Sequence, residues 1–197
     1  MMRQFKTDYI NQRGFDVFRD QQTGIIISTI KDIDWNRQAY NYHTIMSDFN
    51  KLPPEMVALV KEIEIYDVTN PDDYYWEKEY GIDDFCCAAT GGDGTISFWG
   101  TGAYSPNIVP HEVAHCYDTA YTAQWGVTGD RISTSQVWLD AMASDEAATG
   151  LNGVTDYARN SNSSVEDFAE AVALSYTNPS ALDQFPARKA LLEQYLP

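Results

Sequence analysis

Residues 107–121 read NIVPHEVAHCYDTAY, and the rest of the chain is read outward from them. Asn107 is a capping residue type, and Pro110 is tolerated in a first turn, where amides have no intrahelical acceptor. Ile108, Val109, Val113 and Ala114 give the segment an apolar side, so a helix is expected from Ile108 to about Tyr121. His111 and His115 stand four residues apart, which places both imidazoles on one face with Glu112 beside them. Two histidines at that spacing with an adjacent glutamate can bind zinc and supply a general base. The plain alternative is a helix that carries two His and a Glu by chance, but its apolar side buries it in part, and buried imidazoles need partners.

This is the zincin signature, and a catalytic zinc takes three protein ligands with a fourth position left for water. The metzincin variant needs a turn-forming Gly at 118 and a ligand at 121; here those positions hold Asp118 and Tyr121, which excludes it. Asp156, in Gly153-Val154-Thr155-Asp156-Tyr157, is a loose match to the aspartate-ligand class. The strongest third ligand is Glu166, in SVEDFAE (164–170), 51 residues beyond His115. Ser163-x-x-Glu166 is also a capping box, in which the glutamate would bind its own cap amide. Glu170, one turn on, is either the ligand instead or a partner behind a metal-bound imidazole. Asp140, Asp145 and Glu146 stay open as further carboxylates. Asp118 reads as an acceptor behind a ligand or a solvated residue, and His43 as an ordinary histidine. Cys116 is turned about 100° from His115 around the helix, which favours a thiol or a disulfide over metal ligation.

Working outward, the β-branched run 24–30 reads as a buried strand, a helix follows over about 35–52, and Pro53 and Pro54 interrupt it. A short helix at 55–61 and an alternating strand at 62–68 complete a strand–helix–strand unit with a right-handed crossover. Residues 69–84, acidic and aromatic, read as loop. Gly91, Gly92 and Gly94 read as a turn into 95–99, a hairpin or edge strand. Later helices are expected at 138–148, closed by Gly150, and from Ser163 or Ser164 to Pro179, with Val165, Phe168, Ala169, Val172 and Tyr176 as its apolar stripe. A terminal helix covers 186–196. The expected fold class is α+β: an α/β-type N-terminal lobe with a small mixed sheet and an edge strand over the histidine helix, then a helical C-terminal lobe. One domain spans 1–197, with lobes at about 1–121 and 122–197.

Composition narrows the function classes. Thirteen Lys and Arg against 29 Asp and Glu give a net charge of −16, which repels phosphate backbones and anionic lipid. Nucleic acid and membrane partners are not expected, and no apolar run approaches the roughly 18 residues of a span. At 44% hydrophobic and 13% aromatic, the chain can bury enough surface to order itself. The start, MMRQFKTDYINQRG, lacks the apolar core of a signal peptide, so the chain is cytosolic or a trimmed mature form. A sequon at Asn162, the acidity, and a bridge from Cys86 or Cys87 to Cys116 point to a secreted protein, expected to be monomeric.

His111-Glu112-x-x-His115-x-x-Asp118 with Glu166-x-Phe168-Ala169-Glu170 resembles the lethal-factor-like zinc metallopeptidases, the group that includes the catalytic domain of anthrax lethal factor and the bacterial Pro-Pro endopeptidases. The motif likeness covers roughly residues 107–176, and the order of elements is similar over the rest. The resemblance implies a zincin-like, gluzincin-type fold with Zn2+ held by His111, His115 and Glu166. It implies Glu112 as general base and Tyr157 as oxyanion donor; Tyr157 precedes Glu166 by nine residues, two more than the family spacing, and Tyr104, Tyr121 or Tyr176 are its alternatives. The implied reaction is hydrolysis of a peptide or protein substrate by endopeptidase action, with the peptide added to the strand at 95–99. Trp99, Tyr104 and Trp125 line subsites or belong to the core. The family's proline preference belongs to only part of it and does not carry over. Two other readings stand: an inactive zinc-binding interaction module, which would not need Glu112, and a zinc-dependent amidohydrolase of a non-peptide amide.

Overall fold

In the computed structural model, which describes residues 9–10, 13–30, 33, 41–81, 89–100 and 105–197, the apolar run after Gly24 becomes an inner strand of a six-stranded mixed sheet. The strands are β1 (Tyr9–Ile10), β2 (Asp16–Arg19), β3 (Ile26–Thr29), β4 (Glu62–Ile65), β5 (Ala89–Gly92) and β6 (Thr95–Phe98), in the spatial order β1-β2-β3-β4-β6-β5. β3, β4 and β6 are mutually parallel, and the outer pairs are antiparallel. Parallel neighbours need a crossover, which α1 (Tyr42–Phe49) and α2 (Pro54–Val57) supply between β3 and β4.

Strand alternation makes this sheet two-faced. Phe18, Ile27, Ile63, Ile96 and Gly91 pair directly across five strands, so they share one face, and the four apolar side chains lie in a core with Ile45, Phe49, Met56 and Val113. The neighbouring rows carry Ser28, Glu62, Glu64 and Ser97, which bond one another: Ser28 Oγ donates to Glu62 (2.6 Å) and Ser97 Oγ to Glu64 (3.1 Å). Tyr66 Oη and Arg13 also donate to Glu64.

The helical part comprises α4 (Ile108–Ala120), α5 (Gln136–Thr149), α6 (Asp156–Ser161), α7 (Ser164–Thr177), a 3-10 segment (Pro179–Gln184) and α8 (Pro186–Tyr195). α4 lies against β5 and β6 on one side and along α7 on the other, which makes it the shared wall of sheet and helices. An aromatic cluster fills the helical side: Trp138 packs edge-on to Phe168 (4.9 Å) and Trp125 stacks on Tyr195 (4.6 Å). Asp145 of α5 caps α8, accepting from the backbone N–H groups of Ala187 (2.9 Å) and Arg188 (3.0 Å). Arg188, fully buried, donates to Asp167 of α7 (3.0 Å), so one ionic group joins three helices. No described helix is long and apolar enough to cross a membrane.

The mixed α+β class agrees with the sequence reading, with four corrections. β1 has two residues and β2 only the pair Val17-Phe18 between charged neighbours, so neither carries an apolar run that marks it. Residues 69–84 contain a helix, α3 (Asp73–Tyr80), ended by Gly81 in the left-handed conformation (φ 65°); its exposed aromatics show no apolar period. Gly91 and Gly92 belong to β5, and the turn is Asp93-Gly94 alone, both at positive φ (50° and 84°), the two-residue type that matches strand twist. β6 is therefore paired on both sides, and β5 is the terminal strand among the described residues. Of the helix expected at 35–52, α1 is observed, and residues 34–40 lie outside the described residues. Asn107 occupies the cap position of α4 without a side-chain cap bond. Cys116 is a free, buried thiol; Cys86, Cys87 and Tyr104 lie outside the described residues.

Candidate active site

The first turn of α7 sets the site. Ser163 caps the helix, its Oγ accepting the Glu166 N–H at 3.5 Å, so half of the expected capping box forms. The Glu166 carboxylate itself turns to α4: its Oε2 is 3.2 Å from His111 Nε2 and 3.8 Å from His115 Nε2. The two Nε2 atoms are 3.1 Å apart. On the far side of the ring, His111 Nδ1 faces Glu170 Oε1 at 2.8 Å, and Glu170 also accepts from the Thr155 side chain. With its proton on Nδ1, His111 turns a lone pair toward the centre of the triangle.

That triangle fits a small divalent cation. Ligands about 2.0–2.1 Å from a tetrahedral zinc stand roughly 3.3 Å from one another, and the three observed edges bracket that spacing. His111, His115 and Glu166 are, among the described residues, the group whose ligand atoms could hold a metal ion. Burial works against charge on His111, but the Glu166 and Glu170 carboxylates outweigh it and raise the ring's pKa well above the usual value. Burial and the neighbouring His111 charge push His115 down to about 4.

Glu112 is buried beside the cluster under β5. Burial first, and then the negative charges of Glu166 and Glu170, raise its pKa to about 7, against the opposing pull of His111 and a hydrogen bond from the Gly91 backbone. Gly91 is the point of contact: a Cβ there would lie 2.6 Å from the Glu112 backbone oxygen and 2.8 Å from its Oε2. Only a residue without a side chain lets the strand lie this close to the helix.

Tyr157 lies in α6, a helix that falls between the two expected at 138–148 and from Ser163; its ring centre is 5.9 Å from that of His111 and its hydroxyl bonds Glu166. Together these residues line an open cleft of about 230 Å³, whose walls also include Trp76 of α3, Thr90 of β5 and Arg131. Neither Trp76 nor Arg131 was marked by a local pattern. Arg131 is placed by tertiary contacts through Asp118, and Trp76 by a helix that lacks apolar periodicity.

The other candidates are elsewhere. Asp118 is fully buried and accepts from Ser133 N (2.7 Å), Ser133 Oγ (2.7 Å) and Arg131 (3.5 Å), so it anchors a loop and is not solvated. Asp145 caps α8, Asp156 pairs with Arg159, and Asp140 and Glu146 are exposed. His43 is exposed against Tyr42. Trp125 is buried in the helical core, Trp99 stacks on Tyr66, Tyr121 stacks on Tyr117, and Tyr176 Oη reaches the Pro197 carbonyl; the cleft lining includes none of these four.

The fold resembles that of a Pro-Pro endopeptidase. The structure of that enzyme, from Paenibacillus alvei, superposes with a TM-score of 0.56 over 85% of this chain and 96% of that one, at 13% sequence identity. The likeness falls on the Pro-Pro endopeptidase side of the resemblance drawn from the motifs, and at that identity it carries the fold. No protein-family model matches the chain, and no curated protein matches it in sequence.

Proposed function

We propose that the protein is a zinc-dependent endopeptidase of the zincin-like, gluzincin type, in which His111, His115 and Glu166 hold the metal and Glu112 is the general base. The observation that carries this reading is the convergence of two Nε2 atoms and one carboxylate oxygen on a common centre, with a buried glutamate beside them at the floor of an open cleft. The neighbour in fold is named as a peptidase, which agrees with it; that enzyme's Pro-Pro specificity is not carried over. The chain acts as one domain, the N-terminal lobe supplying the histidines and Glu112 and the C-terminal lobe Glu166, Glu170 and Tyr157. It works as a monomer on peptide or protein substrates, and its acidity suits secretion.

Zinc held there supplies a Lewis acid that polarises a carbonyl and brings the pKa of water to about 7. Glu112 takes the proton of the attacking water and returns it to the leaving amine; a proton affinity near neutrality, set by burial, suits both transfers. Tyr157 leaves Glu166 and donates its hydroxyl to the charge that develops on the carbonyl oxygen. The extended substrate pairs alongside β5, the terminal strand among the described residues, whose Thr90 and Gly91 border the cleft, rather than with the strand at 95–99, which has neighbours on both sides.

The test is a peptide-library digest with and without a zinc chelator, run beside Glu112→Gln. The wild type should cut and the chelator should stop it. Glu112→Gln should keep about one zinc per chain yet lose at least about a hundredfold in rate, since an amide cannot accept the proton. Equal cutting by the variant removes Glu112 from the chemistry and leaves a binding module as the better account.

A further inference from the structure

We propose that Arg131 selects the substrate, pairing with a peptide carboxylate next to the scissile bond; this rests on the peptidase reading above. The protein is strongly acidic, with 13 Lys and Arg against 29 Asp and Glu, yet among the described residues the cleft is bordered by a guanidinium and by no other Lys or Arg. Arg131 is held there by construction. Asp118, one turn beyond His115 on α4, accepts from Ser133 N and Ser133 Oγ at 2.7 Å each, and its backbone carbonyl accepts from Ile132 N at 3.1 Å. Residues 131–133 are thus pinned to the helix that carries the histidines, and the charge of Arg131 is felt at His115.

The tie between Arg131 and Asp118 orients the guanidinium without saturating it. The contact is 3.5 Å long, through one Nη, while the same carboxylate has two much shorter partners in Ser133. The Arg131 side chain is 43% exposed and borders the cleft, and no described residue accepts from its other N–H donors. Arg131 is the cationic side chain that borders the cleft of about 230 Å³, and its single long contact with Asp118 leaves the guanidinium able to take a second carboxylate. A guanidinium fork matches a carboxylate in geometry and charge, and a half-enclosed pair is screened less than an exposed one. For an endopeptidase the partner is an Asp or Glu side chain adjacent to the cut; a chain-terminal carboxylate there would make the enzyme a carboxypeptidase instead.

The experiment measures kcat/KM of the zinc-loaded protein on matched peptide sets: Asp or Glu against Asn or Gln at each position flanking the cut, and free C-terminal acids against amides. The wild type should prefer one of these carboxylates by about ten- to a hundredfold, mainly through KM, and the preference should shrink at high salt. Which set responds separates side chain from terminus. Arg131→Ala should abolish the ratio between acidic and neutral peptides, Arg131→Lys should retain part of it, and Arg131→Glu should turn it toward Lys-containing peptides. Equal losses on acidic and neutral peptides in all three variants would reduce Arg131 to a structural residue and overturn the inference. So would a wild type that cuts without charge preference, which would leave the peptidase reading standing. No cleavage of any peptide by zinc-loaded wild type would overturn both.

Discussion

Glu166 and Glu170 lie one turn apart on α7 and meet the same imidazole from opposite sides, Glu166 at Nε2 (3.2 Å) and Glu170 at Nδ1 (2.8 Å). Their spacing places both on one helix face, so the sequence alone left either as the third ligand; the rotation of α7 against α4 separates them, and no local signal records that rotation. Glu166→Ala should therefore release stoichiometric zinc, whereas Glu170→Ala should weaken binding by about ten- to a hundredfold, as loss of a group behind a ligand does. A chelator competition giving the opposite order would exchange the two roles. The proton on His111 adds a pH dependence whose sign is fixed. Because the pKa of His111 is raised in the folded metal-free protein, the ring is protonated below it, and that proton must leave before a cation enters. Zinc affinity should climb by about a factor of ten per pH unit through neutrality and level off once the pH passes the His111 value; a flat titration by calorimetry from about pH 5.5 to 7.5 would contradict this.

At the scale of elements, the contact between β5 and α4 decides the shape of the cleft. Gly91→Ala would force a Cβ against the Glu112 backbone oxygen and carboxylate, and a helix carbonyl cannot move aside as a flexible side chain can. The variant should keep its zinc and lose at least about tenfold in kcat, since displacement of the base by an ångström is costly; metal analysis beside turnover checks it, and wild-type kcat would show that β5 has slack. The segment Gly91-Gly92-Asp93-Gly94 shows where sequence reading stops. Four turn-prone residues in a row do not say which two form the turn, and the pairing of Gly92 with Thr95 decides it. α4, α5, α7 and α8 were legible because helix-forming apolar spacing and the Gly or Pro residues that bound it are local signals. α3 was not, since Asp73-Tyr74-Tyr75-Trp76-Glu77-Lys78 has no apolar face, and Trp76 was lost to the site with it.

For the molecule as a whole, the Asp145–Arg188–Asp167 group ties α5, α7 and α8 with a guanidinium that solvent does not reach. Removing one partner of a buried ion pair leaves the others uncompensated, so Arg188→Ala should cost about 3–5 kcal/mol, visible as a lowered urea midpoint. Its residue lies outside the cleft, so folded protein should retain its specific activity; an unchanged midpoint would mean that the group is neutral in stability. The α4–α7 pairing has a consequence in time as well as in space. The carboxylate that meets the two imidazoles lies 51 residues after His115. At about 5–20 residues per second of synthesis, the histidine helix waits roughly 3–10 s for its partner. A growing chain therefore carries the two imidazoles and Glu112 well before it can grip an ion between them, and the cleft can arm itself only after α7 has been made.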